Sequence, residues 1–156
     1  MKKVILLFLT SLFLLSCADN NRFNKENIIP TPKEFTIQDN KLYPIKEVVN
    51  SEKRDNLKFP HNNDEYYLKS SKGHVVIEGN EVWAKQTLSQ LTNESGCIPD
   101  VEIHDWSAYP IRGFMHDTGR NYQTLEMLKE TIDLMSLYKI NYFHWHLTDY
   151  PAWRIE

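Results

Sequence analysis

Cysteine is scarce in this sequence, with only Cys17 and Cys97 among its 156 residues. A disulfide framework needs more cysteines than two, which excludes a small fold held together mainly by disulfides. The segment Glu94–Cys97 is typical of a turn, and we expect Cys97 to be a small structural residue rather than a reactive thiol.

A charge excess of either sign is also lacking. The chain has 18 Lys and Arg against 21 Asp and Glu, a formal net charge of −3. The basic residues are scattered and form no stripe, so nothing indicates a nucleic-acid partner. The apolar and charged fractions are ordinary for a globular protein, and the length suits one domain or a small pair.

No apolar run is long enough for a comfortable membrane span. The longest, Val4 to Leu15, is interrupted by Thr10 and Ser11 and follows two lysines, which is typical of a signal peptide. It ends in Leu14-Leu15-Ser16-Cys17, which resembles the bacterial lipobox, where cleavage before the cysteine is coupled to diacylglyceryl attachment on its sulfur. An ordinary signal peptide with an incidental cysteine is the alternative.

The lipobox resemblance predicts where in the cell the protein is located. Residues 1–17 are predicted to be the signal peptide and lipobox, and residues 18–27 a polar tether. We expect a lipid anchor at Cys17 in the cell envelope, which would leave Cys97 unpaired. Ala18, rather than Asp, after the cysteine favours outer-membrane over inner-membrane retention.

Residues 28–108 are predicted to form a small α+β domain. An extended segment, Ile29–Pro32, precedes a first strand, because residues before proline avoid the helical region. Strands are predicted at 34–37, 66–68, 74–78 and, by alternation, 101–105, with a turn at 70–73. A helix over 80–92 has Val82, Leu88 and Leu91 as its apolar points. A mixed sheet with one helix is the simplest assembly, and its expected role is structural.

Residues 109–156 have the pattern of a strand, a helix and a second strand. The strands are predicted at 111–116 and 142–147. The helix runs from an N-cap at Thr124 to Tyr138, since apolar residues recur at helical spacing. These apolar residues are Leu125, Leu128, Ile132 and Met135. A strand, helix and strand within about forty residues form a βαβ unit, which requires parallel pairing.

Functional groups in such units gather at the carboxyl ends of the strands. Asp117-Thr118-Gly119-Arg120 follows the first strand and Thr148-Asp149-Tyr150-Pro151 the second. Arg120 and Asp149 should therefore emerge on the same face. A guanidinium donor beside a carboxylate acceptor suits a polyhydroxylated ligand. A structural ion pair that braces two loops is equally compatible with the pattern.

His144 and His146 lie two apart on the second strand and share one side. Phe143, Trp145 and Leu147 should take the opposite side, under the helix. A His-x-His pair on a barrel strand can bind metal, which keeps a metal-dependent hydrolase among the alternatives. Core or supporting histidines are the other interpretation, and His116 has no assignable role.

Four segments between Tyr109 and Glu156 together have the pattern of one enzyme family. The first is Tyr109-Pro110-Ile111-Arg112-Gly113-Phe114-Met115-His116-Asp117-Thr118-Gly119-Arg120-Asn121-Tyr122, and the others are Ile132–Met135 with Tyr138–Asn141, Phe143–Asp149 and Trp153–Glu156. In this order they resemble the first barrel strand, the first helix and its exit, the second strand and the following segment of family 20 glycoside hydrolases. The region before them resembles the smaller domain that precedes the barrel in that family. The expected fold class is therefore α/β: a small α+β domain followed by the first βαβ of a truncated TIM (β/α)8 barrel.

The resemblance implies a β-N-acetylhexosaminidase that removes terminal β-linked N-acetylglucosamine or N-acetylgalactosamine from glycans. It implies substrate-assisted retention, in which the 2-acetamido carbonyl attacks C1, without a metal or organic cofactor. Arg120 matches the arginine that grips the terminal sugar. Asp149 matches the aspartate that holds a later histidine against the catalytic Glu, as a supporting relay.

The catalytic Glu and the orienting Asp would lie beyond Glu156, because a complete barrel takes roughly 250 residues. We therefore expect a fragment that is inactive by itself and has an unpaired sheet edge. Of two departures from the family pattern, His116 and Tyr150, neither falls on a residue with a carried-over role, but Tyr150 can alter the loop around Asp149. A short, non-catalytic glycan-binding lipoprotein is the alternative.

Overall fold

The computed structural model describes residues 23–59, 63–150 and 152–155. The predicted signal peptide, the lipobox at Cys17 and the start of the tether lie outside these ranges. The end of the predicted tether forms a single 3-10 turn, Lys25–Asn27. Ile28, at the predicted domain start, is 1% exposed and belongs to the core. Neither described α-helix has the length and apolar character that a membrane crossing needs.

A five-stranded mixed sheet with one helix forms the first part of the chain. Its strands are β1 (Glu34–Pro44), β2 (Glu47–Asn50), β3 (Tyr66–Ser71), β4 (His74–Gly79) and β5 (Cys97–Asp105), and its helix is α1 (Glu81–Leu91). The strand order is β1-β5-β3-β4-β2. Only the β2–β4 pair is parallel. The predicted mixed sheet is confirmed, although β2 was not predicted and β1 was predicted too short.

The buried core lies between α1 and this sheet. Asn80 caps the helix, because its side chain accepts a hydrogen bond from the Trp83 N–H at 3.0 Å. Leu88 and Leu91 are buried, as predicted. Val82 is 60% exposed, so its assignment as a core-facing residue was wrong. Val82 lies one turn before Gln86, on a different side of the helix from Ala84 and Thr87, which are both fully buried.

Cys97 begins β5 and is buried, with 1% of its surface exposed. It is disulfide-bonded, so the expectation that it would be unpaired is wrong. The preceding turn is as predicted, since Gly96 has a φ of +73° and its N–H donates to the Asn93 carbonyl at 2.9 Å.

A parallel βαβ unit forms the second part. It consists of β6 (Gly113–Asp117), α2 (Leu125–Leu137) and β7 (Tyr142–His146). The two strands pair in parallel, with Gly113 opposite Tyr142 and Asp117 opposite His146. A two-residue hairpin follows, made of β8 (Thr148–Asp149) and β9 (Ala152–Trp153). The predicted order and parallel pairing are confirmed, but β6 begins two residues later than expected.

Helix α2 begins after Thr124, whose side chain accepts the Met127 N–H at 3.3 Å, as the sequence predicted. Of its four predicted core residues, Leu128 and Met135 are buried. Leu125 and Ile132 are 59% and 49% exposed among the described residues. The helical period is therefore right, and its apolar stripe is only half covered.

The two parts are joined by buried charged groups. Lys139, just after α2, is 6% exposed and has a φ of +54°. Its ammonium donates to the Tyr66 hydroxyl and to the Asp105 carboxylate, each at 2.9 Å. Arg112 donates to Asp64 at 2.8 Å. These contacts attach the end of α2 and the start of β6 to the five-stranded sheet.

Candidate functional site

The candidate site lies at the carboxyl ends of β6 and β7. The turn after β6 remains attached to β7, because the N–H groups of Thr118 and Gly119 donate to the His146 carbonyl at 3.0 and 3.2 Å. A Cβ on Gly119 would lie 3.1 Å from the Asp149 nitrogen and 3.3 Å from the Asp117 Oδ1. The two loops therefore approach each other as closely as a glycine allows.

Arg120 lies at the end of the turn after β6 and is directed at the loop after β7. Its Nη2 donates to the Asp149 Oδ2 at 2.5 Å. The side chain is 65% exposed, against 28% for Asp149. The predicted proximity of Arg120 and Asp149 is confirmed, whereas their role in binding a sugar stays a prediction.

Asp149 accepts hydrogen bonds on both carboxylate oxygens. Its Oδ1 accepts the Tyr150 N–H at 2.7 Å, and its Oδ2 lies 3.1 Å from the His146 Nε2. The hydrogen bond from His146, then that from the Tyr150 N–H, then that from Arg120 lower the pKa of Asp149. Asp149 therefore stays ionised at lower pH than an ordinary aspartate.

Asp117 and His146 complete a cluster that was not predicted as a whole from the sequence. Asp117 accepts the Arg120 backbone N–H on Oδ1 at 3.0 Å, and its Oδ2 lies 3.5 Å from the Arg120 Nη1. The register places Asp117 directly opposite His146. The signal was present in the sequence, because the strand ends that select Arg120 and Asp149 also select the last residue of each strand.

The two faces of β7 carry different side chains, as predicted. Trp145 lines a hollow with Leu125 and Leu128 of α2, and Phe143 lies 6.0 Å from the Trp145 ring. His146 lies on the other face, with Asp117 and Asp149. His116 belongs to the helix side, where its ring lies 5.8 Å from Phe114.

Metal binding can be judged from the donor atoms of this cluster. Among the described residues, one group of ligating side chains has its donor atoms within 4.8 Å of one another: Asp117, His146 and Asp149. His144 is not part of it, so the geometry does not favour the alternative of a His-x-His metal pair. The Arg120 guanidinium contacts both carboxylates and already supplies the positive charge that a cation would bring. The expectation of no metal cofactor stays a prediction.

A second concavity lies at the junction of the two parts. It has a volume of about 180 Å³, and its lining includes Trp83, Trp106 and Tyr138. Four of the charged groups that line it pair with each other: Lys139 with Asp105, and Arg112 with Asp64. This arrangement suits an interface between two packed units.

Tyr150, one of the two departures from the family pattern, is 92% exposed. Only its backbone N–H contributes to the arrangement around Asp149. The side chain at this position therefore leaves the contacts of Asp149 with Arg120 and His146 unaltered in the described structure.

Comparison with known proteins identifies the segment that carries the site. Residues 109–156 match the family described as glycosyl hydrolase family 20, catalytic domain. A beta-hexosaminidase of Porphyromonas gingivalis is 43% identical over 105 residues, which are 58% of this chain and 14% of the relative. The chain thus spans about one seventh of that relative.

Solved structures support the same fold over most of the chain. The beta-N-acetylhexosaminidase of Bacteroides fragilis superposes with a TM-score of 0.70 at 25% identity, over 83% of this chain and 35% of that one. The family 20 exo-β-N-acetylglucosaminidase of Vibrio harveyi, solved in complex with N-acetylglucosamine, superposes with a TM-score of 0.69 at 25% identity. That match covers 85% of this chain and 27% of the Vibrio chain.

Proposed function

Because this chain belongs to glycosyl hydrolase family 20 through its residues 109–156, we propose that the full-length protein is a β-N-acetylhexosaminidase. It removes terminal β-linked N-acetylglucosamine or N-acetylgalactosamine from glycans. The observation that carries the proposal is the Arg120–Asp149 contact at adjacent carboxyl ends of parallel strands. Such strand ends are where enzymes of this architecture place their active sites.

The βαβ unit of β6, α2 and β7 is proposed to open a (β/α)8 barrel. Its parallel pairing and the helix on one face support this assignment. Residues 28–108 are proposed to be the smaller domain that precedes the barrel, and residues 109–156 the start of the barrel. Cooperative unfolding of a polypeptide that ends at residue 108 would support the boundary, and aggregation of that polypeptide would count against it.

Within this function, Arg120 is proposed to bind the hydroxyl groups of the terminal sugar. The Arg120 side chain, which carries several N–H donors, is 65% exposed at the carboxyl ends of the strands, and its Nη2 is bound to Asp149. Asp149 is proposed to hold a histidine against the catalytic acid. The chemistry proposed is substrate-assisted retention, in which the 2-acetamido group forms the new bond to C1 and a Glu protonates the leaving oxygen.

The test uses the full-length protein with aryl N-acetyl-β-glucosaminide and aryl N-acetyl-β-galactosaminide. We expect release of the aryl group from at least one of them. Arg120→Lys should lower kcat/KM about a hundredfold, since lysine replaces a planar fork with a point charge. Arg54→Lys, at an exposed position after β2, is the matched control and should keep the wild-type value.

Two results would count against the proposal. A wild-type protein that hydrolyses neither substrate is not this enzyme. If it nevertheless binds N-acetylhexosamine in calorimetry, the alternative of a non-catalytic glycan-binding lipoprotein is favoured. An Arg120→Lys variant with unchanged kcat/KM would show that Arg120 and Asp149 form only a structural ion pair.

A lipid anchor at Cys17 is proposed as the means of attachment to the cell envelope, with the outer membrane as the expected location. The four residues Leu14–Cys17 after the apolar run support it. Because the chain has only two cysteines, a thioether on Cys17 is compatible with the disulfide at Cys97 only if that disulfide joins two copies of the chain. Mass spectrometry of the mature N-terminal peptide decides: a diacylglyceryl adduct supports the anchor, and a Cys17–Cys97 crosslinked peptide contradicts it.

A further inference from the structure

Binding of a sugar by Arg120 would be favoured if its long side chain were already ordered before the substrate arrives. A free arginine side chain has many rotamers, and fixing it on binding would cost rotamer entropy. Because Arg120 is 65% exposed, the surrounding core does not order it by packing. Its order therefore has to come from specific polar contacts.

Asp117 supplies two of these contacts. Its Oδ1 accepts the backbone N–H of Arg120, which fixes the turn from which the side chain leaves. Its Oδ2 faces the guanidinium at 3.5 Å, which directs the head of the side chain. Asp117 itself is only 20% exposed at the end of β6, so its position is set by the sheet.

His146 supports the other member of the pair. Its Nε2 lies 3.1 Å from the Asp149 Oδ2, the same oxygen that accepts from Arg120. Its backbone carbonyl accepts the N–H groups of Thr118 and Gly119 from the neighbouring turn. His146 thus holds the loop of Arg120 through its main chain and Asp149 through its ring.

We infer that Asp117 and His146 are positioning residues that orient Arg120 and Asp149 for a pyranose ligand. Asp117, Arg120, Asp149 and His146 form a continuous series of contacts at the ends of two paired strands, and the strand register places Asp117 opposite His146. The inference rests on the proposed function, because it assumes that the oriented pair binds a sugar. Asp117 and His146 act through their partners and need not touch the sugar.

The spacing of the two loops supports the same inference. A Cβ at Gly119 would lie 3.3 Å from both the Asp117 Oδ1 and the Asp149 Cβ. This cluster of four residues therefore has little room to rearrange. A change in one of its polar members should be transmitted to the guanidinium instead of being absorbed by the loops.

The test compares Asp117→Asn, His146→Gln and His146→Phe with matched controls in the full-length protein. The controls are Asp133→Asn, on the exposed face of α2, and His74→Gln, exposed on β4. We expect kcat/KM for the aryl substrate to fall between about tenfold and a hundredfold in the three variants. Their thermal midpoints should stay near those of the controls.

The pH profile supplies a readout that a purely structural role would not change. The groups that face Asp149 are His146, Arg120 and, across the cluster, Asp117. Removing the hydrogen bond from His146 raises the pKa of Asp149 towards its ordinary value. If the ionised form of Asp149 is required, the acidic limb of kcat/KM should move to higher pH in His146→Phe and stay in place in His74→Gln.

The outcomes separate this inference from the proposed function. An active wild-type protein whose three variants keep the kcat/KM and acidic limb of their controls overturns the inference alone. A wild-type protein inactive on both aryl substrates overturns the proposed function. In that case the order of the Arg120 side chain is measured from its Nε–H resonance by NMR. A less ordered Arg120 side chain in Asp117→Asn supports the positioning role of Asp117, and unchanged order overturns it.

Discussion

His116 is the residue whose environment conflicts most with its chemistry. Its Nε2 is buried and has no hydrogen-bond partner among the described residues. The ring lies between Phe114 at 5.8 Å and Phe143 at 6.4 Å, in the layer between β6, β7 and α2. A buried polar atom without a partner costs about 1–3 kcal/mol of desolvation, so this side chain weakens the layer that holds the site.

Replacing His116 with phenylalanine should therefore stabilise the protein. His116→Phe keeps a flat ring among aromatic neighbours and removes the unpaired nitrogen. We expect the free energy of unfolding to rise by about 1 kcal/mol, measured by denaturant titration. His74→Phe, at an exposed position, should leave it unchanged within about 0.5 kcal/mol. A loss of stability in His116→Phe would indicate that Nε2 has a partner or that the layer cannot accept the larger ring.

At the scale of elements, the turn between β3 and β4 fixes the register of the first sheet. Lys72 and Gly73 have φ values of +49° and +84°, as a two-residue hairpin with a type I′ turn requires. The Gly73 carbonyl also accepts the Lys46 N–H at 2.8 Å, where the chain enters β2. This tight approach joins the hairpin to β2, the edge strand that was not predicted from the sequence.

The substitution Gly73→Ala should therefore lower the free energy of unfolding by more than the positive φ alone explains. A Cβ there would lie 2.0 Å from the Pro44 carbonyl oxygen, a contact that only backbone movement can relieve. We expect Gly73→Ala to lower the free energy of unfolding by at least about 3 kcal/mol. Gly96→Ala is the matched control, because its φ is +73° but its Cβ would meet nothing within 4 Å. It should cost about 1–2 kcal/mol, and equal losses at the two positions would contradict this explanation.

At the scale of the whole molecule, the Lys139 ammonium connects the βαβ unit to the five-stranded sheet. It lies 2.9 Å from the Asp105 carboxylate and 4.6 Å from the centre of the Tyr66 ring. Burial lowers the pKa of Lys139, and the Asp105 carboxylate opposes this effect. Such a buried pair is costly to break, because the group that remains keeps its charge without a partner.

A double-mutant cycle should show this coupling. Lys139→Met alone leaves the buried Asp105 carboxylate without its counter-charge, and should cost about 3–5 kcal/mol. The double variant Lys139→Met/Asp105→Leu should recover most of that loss, because both charges are gone. Lys85→Met, at an exposed ion pair with Glu81 on α1, should change the unfolding free energy by less than about 1 kcal/mol. Purely additive single and double effects would show that the two charges are not coupled.

The element types and their order followed from local patterns. Strand-forming segments bounded by turn residues predicted four of the strands in the first sheet, and the apolar period predicted both helices to within a residue or two of their observed ends. At the N-caps Asn80 and Thr124, local side-chain hydrogen bonds determine where each helix begins. The boundaries of β1 and β6 and the short β2 were not predictable, because strand ends depend on where a partner strand stops.

The site shows the same division. The amino-acid sequence alone determined that Arg120 and Asp149 lie close together, because each follows one of two parallel strands joined by a helix. Only the tertiary structure decided that Asp117 and His146 close the cluster and that Val82 faces out. It also decided that Lys139 enters the other sheet, where it meets Asp105 thirty-four positions away. Short-range periodicity carries no information about contacts between residues so distant in sequence, which depend on how the elements pack.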